Sequence, residues 1–441
     1  MQNRSYFLAL RDLYEKGKVL RFYDFIKKGV VGFSYGVSFP LTMVILDYWL
    51  KDYGVSNSVI GMFSLFHLPF ALKLFFAPII DECDIPFLSK LLGRKRSWVI
   101  FSQSMLTICV LCMAHVDPRT EIHILMLLAT LAAMFDGFQN VSLYPYQISG
   151  VPKEKLGYVA AIINFGHRMG SFVVKFSALY TAHFYGWKEA YISSAVFILI
   201  CMAYISLIDE PGDISEKENR YMQKIFRAHE ENNIYFKLTI RKLAAQLKRL
   251  ANHKFGTSIF AVLVLFKASD FFLQKMSRAF LIELGFTKFE IVNVVQVFGS
   301  SSVFVGGVLC GYLLKRFGVI NVMFFAILIH MISLFSYLFL YYHGHDIEVL
   351  QLVIFLEGVS GGAVTTAFIA FLYELCKNGS QYAIMWAIHE VSGFVFRFFS
   401  GLTVDKVGWL PFLTVTPLLS LPVLFVLHKI SLKKPRTSES K

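Results

Sequence analysis

Apolar runs long enough to cross a bilayer recur along this chain, and they restrict it to folds that can be built in lipid. A transmembrane helix needs about 20 mostly apolar residues. Twelve such runs are read here, near 29–50, 58–80, 98–115, 122–143, 158–182, 191–208, 256–283, 289–313, 319–341, 350–373, 380–403 and 410–428. The bilayer core offers no water to the backbone amides, so each run must satisfy its own hydrogen bonds as a helix. The expected fold class is an all-α polytopic membrane protein with twelve transmembrane helices. Charged residues make up 17% of the chain, against about 25% in a soluble domain, too few to coat a soluble surface.

The net charge of +13 could suggest a polyanion, but its distribution reports topology instead. About 31 of the Lys and Arg residues fall in the terminal segments, the central loop and the loops after runs two, four, eight and ten. Only about five fall in the opposite loops, which is the positive-inside pattern and predicts cytoplasmic termini. No nucleic-acid partner is implied; the lipid bilayer is. Residues 1–28 are too basic and too interrupted for a signal peptide's apolar core, and are read as an amphipathic cytoplasmic segment. The expected organisation continues with a six-helix half over 29–208, a hydrophilic cytoplasmic linker over 209–255, a second half over 256–428 and a tail over 429–441.

Charge inside a span costs about 2.5–3.5 kcal/mol per residue on insertion scales, and by default marks a functional site. Lys267 and Asp270, three residues apart in the seventh run, share one helix face; a purely structural ion pair is the alternative. Asp136, Asn140 and Tyr144 form a polar stripe in the fourth run, with Gln139 beside it. Arg168 in the fifth run is a candidate partner for Asp136, and Lys73 in the second needs a partner of its own. Asp81 and Arg94 flank the loop after the second run, as packing or gating candidates. Glu357 in the tenth run precedes Gly361 and Gly362, which would let another backbone approach, and the eleventh run carries His389, Glu390 and Arg397. Asp47 and Trp49, near the end of the first run, look interfacial. Cys109 and Cys112 lie mid-span and read as small packing residues. The histidines are scattered, and neither metal-ligand spacing nor a nucleophile–base pattern is present, so the chain is read as a non-enzyme without cofactors.

The halves resemble each other. His167–Lys175 reads HRMGSFVVK and His389–Arg397 reads HEVSGFVFR, at an offset that also superimposes Gly186-Trp187 on Gly408-Trp409. One residue of drift places Asp136-Gly137 on Glu357-Gly358, and Gly54-Val55-Ser56 matches Gly285-Phe286-Thr287. Two six-helix halves so related are the architecture of the major facilitator superfamily, with solute bound near the bilayer midplane. There the first, fourth, seventh and tenth helices line the cavity, and Asp136, Lys267, Asp270 and Glu357 fall on three of them.

Within that superfamily the chain resembles the muropeptide permease, or AmpG-type, family. The likeness rests on Phe266-Lys267-Ala268-Ser269-Asp270 and on Glu357, Gly361, Gly362, Ala367, Phe368, Ala370, Leu375 and Cys376. It also rests on Gly32, Gly36, Thr42 and Trp49, on Lys73, Pro78 and Asp81, and on Gly93-Arg94-Lys95-Arg96, Trp98, Gln139, Arg168, Gly170 and Gln381-Tyr382-Ala383. The resemblance implies proton-driven import of anhydro-muropeptides, sugar-peptides bearing carboxylates, across a bacterial inner membrane. Lys267, Arg168 and Lys73 would then be candidate carboxylate ligands. The fourth run departs from the family: Asn140, Tyr144 and Gln147 stand where relatives carry two acids and a base, and Asp136 supplies an acid one turn earlier. Ser392-Gly393 likewise replaces a Gly-Arg pair, with Arg397 one turn on. These changes suggest a diverged paralogue, with a carrier of another small solute or a non-transporting sensor as alternatives. Asp136 is expected to exchange protons, and Glu357 to pair with a cation.

Overall fold

The computed structural model describes residues 18–71, 76, 80, 83–148, 156–208, 256–375 and 379–433. Lys73, Asp81 and the expected linker at 209–255 lie outside the described residues. Among the described residues all regular structure is helical. The first half contains α1 (Lys18–Pro40), α2 (Leu46–Asp52), α3 (Asn57–Met62), α4 (Leu68–Ala71), α5 (Leu88–Leu92), α6 (Arg94–Met113), α7 (Ile122–Ile148), α8 (Leu156–Phe184) and α9 (Trp187–Leu207). After residue 255 come α10 (Gly256–Leu265), α11 (Ala268–Glu283), α12 (Lys288–Ile291), α13 (Gly299–Phe317), α14 (Val319–Leu334), α15 (Ser336–His343), α16 (Ile347–Leu375), α17 (Gly379–Val407), α18 (Trp409–Leu418) and α19 (Leu421–Lys433).

Nine segments among the described residues are both long and apolar enough to cross a membrane, three short of the twelve runs read from sequence. α8 and α17 have the length, 29 residues each, but interrupt their apolar character with residues such as Arg168, Lys175, Glu390 and Arg397. The second run is described as a shorter apolar helix ending at Ala71.

Several runs read as single helices are jointed, the first and the seventh among them. Pro40, which has no N–H to donate, is followed by one π turn over Leu41–Ile45 before α2. The seventh run breaks between α10 and α11, where Lys267 adopts φ −113° and ψ 21°. Elsewhere small residues bring backbones together. A Cβ on Gly36 of α1 would stand 2.1 Å from the His167 carbonyl oxygen of α8, and one on Gly362 of α16 would stand 2.2 Å from that of Val303 on α13. Large side chains on the outer faces, such as Phe304, Val308 and Tyr312, are exposed, as a lipid-facing surface requires.

The repeat seen in sequence is also a repeat of capping chemistry. Gly54 and Gly285, both at positive φ, follow α2 and α11. The next amides, of Val55 and Phe286, donate back to the carbonyls of Leu50 and Leu281. Ser56 and Thr287 then cap α3 and α12. Trp187 and Trp409 open α9 and α18 and donate to Asp52 (2.7 Å) and Glu283 (2.6 Å), the last residues of α2 and α11.

Those two carboxylates are gripped crosswise by the opposite half. Lys288 pairs with Asp52 at 2.8 Å and Lys51 pairs with Glu283. At the same end, Asp405 of α17 accepts from the Asn57 side chain (2.9 Å) and the Ser58 amide (2.6 Å). The largest apolar core runs through this end and draws on both halves, from Leu46, Trp49 and Trp187 to Phe280, Tyr337 and Phe412. The molecule is therefore joined across its halves here by ion pairs laid over a continuous core.

Candidate functional site

The joint in the seventh run sets the geometry of the polar interior. Because the chain unwinds at Lys267, Asp270 falls in the first turn of α11, where the helix dipole favours an anion. The Lys267 Nζ lies 2.8 Å from the Asp270 carboxylate, and both side chains stay about 15% exposed. The same ammonium donates to the Thr365 hydroxyl of α16 at 3.2 Å. His330 of α14 approaches Asp270 from the other side at 3.9 Å, while its Nδ1 meets the Ser360 hydroxyl at 2.9 Å. The helix joint, α14 and α16 thus converge on one ion pair.

Glu357 sits on α16 one turn before Gly361. It accepts a hydrogen bond from the Tyr337 hydroxyl at 2.5 Å, and among the described residues it forms no ion pair with a cation, contrary to the sequence expectation. The reason is local: α15 places a phenol in reach, so the carboxylate is engaged without a neighbouring charge. Gly361 faces His330 with ordinary spacing, whereas Gly362 is the residue pressed against α13.

The fourth-run stripe turns toward α1. Asp136 is buried and accepts from the Ser38 hydroxyl, and Gln139 is buried and donates to the Ser34 carbonyl at 3.0 Å. Asn140 is half-buried beside them. Arg168 is exposed on α8, and among the described residues no ion pair joins it to Asp136. Arg94 pairs with Asp84 at 2.7 Å in the loop before α6. The bonded guanidinium holds the Asp84 carboxyl below its usual range.

Asp47 is not interfacial. It is 1% exposed and is bridged by Lys275 and Arg278 of α11, which cross to it from the second half. The sequence placed Asp47 near a run's end, but its partners lie more than two hundred residues away, where no local pattern reveals them. Lys275 and Arg278 were themselves visible: they are spaced three apart in the same apolar run as Lys267 and Asp270. Applying the intramembrane-charge rule to the whole run would have found them.

The arrangement offers a half-open ion pair with a nearby imidazole and hydroxyls, lined by aromatic faces such as Phe271. Such a site can exchange a proton or bind a polar solute; it holds no clustered metal ligands among the described residues.

A family model described as Major Facilitator Superfamily matches residues 29–396. A relative named "Putative transporter AmpG 1" from Rickettsia conorii is 28% identical over 407 residues, covering 91% of this chain and 96% of the relative. Its namesake from Rickettsia bellii is 27% identical over 411 residues, covering 91% and 97%. These similarities agree with the AmpG-type resemblance read from the residues. Among solved structures, that of a D-xylose-proton symporter aligns with TM-score 0.66 at 13% identity, over 92% of this chain and 97% of the other. A partially occluded inward open conformation of the xylose transporter XylE from E. coli aligns with TM-score 0.64 at 14% identity, over 95% and 99%. At that identity the likeness concerns the fold alone.

Proposed function

Because the chain belongs to the Major Facilitator Superfamily and is a multi-pass secondary transporter of a small-molecule solute, we propose that it imports anhydro-muropeptides or a related sugar-peptide across a bacterial inner membrane by proton symport. The observation that carries this reading is the Lys267–Asp270 pair, unwound from its helix and left partly open between α14 and α16. A carboxylate that changes partners between an ammonium and a proton can couple the two movements, since a nearby cation favours its charged form and burial its neutral one. The names carried by the relatives match the AmpG-type resemblance from which the solute class is inferred. With both termini cytoplasmic, the end tied by Lys51–Glu283 and Lys288–Asp52 faces the periplasm, and solute release is toward the cytoplasm.

In this scheme Lys267 orients Asp270 and meets a solute carboxylate, Thr365 and His330 position the pair, and Phe271 offers a face to a sugar ring. Glu357, half-buried on the tenth run, and Asp136, buried on the fourth, are further acids of the interior. The test is uptake of labelled anhydro-muropeptide into proteoliposomes with and without an imposed proton gradient. Accumulation above the external concentration only with the gradient is expected. Equilibration unaffected by the gradient would remove the symport, and absence of any uptake or exchange would remove the solute class.

A further inference from the structure

We propose that Arg397, on α17 just beneath the joined end, binds a carboxylate of the transported solute; this rests on the carrier reading above and adds a second anion site to it. Arg397 is 8% exposed. Its Nη2 donates to the Gln274 side chain at 3.2 Å, and its Nη1 has no hydrogen-bond partner among the described residues. The guanidinium lies over Phe271 at 4.4 Å and over Phe394 at 5.5 Å. An amide and two ring faces do not neutralise a buried cation.

Two of the surrounding carboxylates are committed elsewhere. Asp47 is shared by Lys275 and Arg278, and Asp270 is paired with Lys267. Glu390, two turns earlier on α17, forms no ion pair among the described residues with Arg397. Three cations, Lys267, Lys275 and Arg278, share the two carboxylates Asp270 and Asp47, and Arg397 is the fourth, without an ion pair among the described residues. An incoming anion would correct that imbalance, and a guanidinium fork suits a carboxylate by offering two parallel donors.

Three further features fit a binding site rather than a structural cation. Gly393 lets the Phe271 ring and the guanidinium approach its backbone together: a Cβ there would lie 2.9 Å from the ring and 3.1 Å from Nη1. Phe271 connects the two sites, since Lys267 lies 5.7 Å from the centre of the same ring. His67, from the first half, stacks on Phe394 at 6.5 Å and is fully buried, and among the described residues its Nε2 also has no hydrogen-bond partner. Its Nδ1 faces the Phe63 carbonyl at 3.0 Å, so the proton on that nitrogen leaves Nε2 as an acceptor. The ligand class is thus an organic acid with an N–H or O–H donor near its carboxylate, as a sugar hydroxyl or peptide amide would provide. The site straddles the halves. A Cβ on Gly61 of α3 would lie 3.3 Å from the Arg397 carbonyl oxygen, so Arg397 sits where α17 packs against the first half.

The test compares purified wild type with Arg397→Gln, and with Arg397→Lys as the charge-retaining variant, in nanodiscs. Ligand-free melting comes first. Removing an uncompensated buried charge is expected to leave the melting temperature of Arg397→Gln equal or higher; a fall of several degrees, rescued by Arg397→Lys, would identify a structural cation and overturn the proposal. Binding of GlcNAc-anhydroMurNAc is then compared with that of its uncharged lactyl-amide analogue. Wild type should prefer the acid by about tenfold, and Arg397→Gln should reduce that preference to within about twofold. An unchanged preference in the variant would overturn the proposal. If wild type binds neither sugar, the sugar-peptide reading falls, and lactate serves as the probe: it should raise the melting temperature of wild type and not of Arg397→Gln. Equal stabilisation of both, or of neither, would overturn the anion site.

Discussion

Two charge clusters in the seventh run show how differently one membrane segment can use ionisable groups. At its joint, Lys267 and Asp270 pair within one half, retain about 15% exposure and have an imidazole and a hydroxyl in attendance. Two turns on, Lys275 and Arg278 cross to Asp47 of the other half, and Lys275 and Asp47 are almost completely dry. Burial separates their roles. A dry pair in low dielectric is held by its own attraction, and losing one member leaves an uncompensated charge. A partly open pair can trade its partner for a proton or a solute at much lower cost.

The largest expected effect is on the dry cluster. Asp47→Asn leaves Lys275 and Arg278 without a carboxylate, and should destabilise the protein by about 3–5 kcal/mol. Thermal unfolding in detergent, read alongside the folded yield, measures it; a melting temperature within a degree or two of wild type would end the contrast drawn here. Asp270→Asn should act in the opposite sense. Its melting temperature should change little while gradient-driven uptake falls at least tenfold. Replacing both Lys267 and Asp270 sharpens the point, because full transport by the double variant would make this pair structural too.

The crosswise ion pairs at the joined end are expected to matter less for stability, about 0–1 kcal/mol each, since Glu283 is about a third exposed. Their effect should appear in conformation. Lys51→Glu with Lys288→Glu sets like charges against Glu283 and Asp52, and should lengthen spin-label distances across that end. Distances unchanged from wild type would show that the apolar core alone holds the halves together. The smallest effect belongs to Asp84, a surface partner of Arg94. Its lowered pKa means that the contact is complete above the ordinary carboxylate range, about pH 4, and is lost as pH falls through the depressed value. Asp84→Asn should leave the melting temperature unchanged at neutral pH.

Much of this was legible in the sequence because lipid imposes simple rules. Apolar run length located the nine segments that are long and apolar enough to cross a membrane among the described residues, and the offset of the repeat anticipated that Trp187 and Trp409 play equivalent parts. The Lys267–Asp270 contact followed from its spacing. The joint at Lys267 did not, since Phe266-Lys267 contains neither Gly nor Pro to announce it. The partners of Asp47 and Glu357 were also hidden, because each is fixed by helix packing: one across the two halves, the other by the turn that brings Tyr337 over α16. Asp136 shows the limit of a periodic stripe. Its spacing identified a polar face, but only packing showed that this face meets Ser38 of α1.

The most direct test of the central claim, that Asp270 works in coupling while Asp47 supports the fold, is transport by Asp270→Asn protein reconstituted at the same density as wild type. Labelled anhydro-muropeptide uptake is followed under an inward proton gradient, and solute exchange is followed without one. Wild type is predicted to accumulate solute above the external level, and Asp270→Asn to lose that accumulation at an unchanged melting temperature. Accumulation by Asp270→Asn equal to wild type would contradict the account.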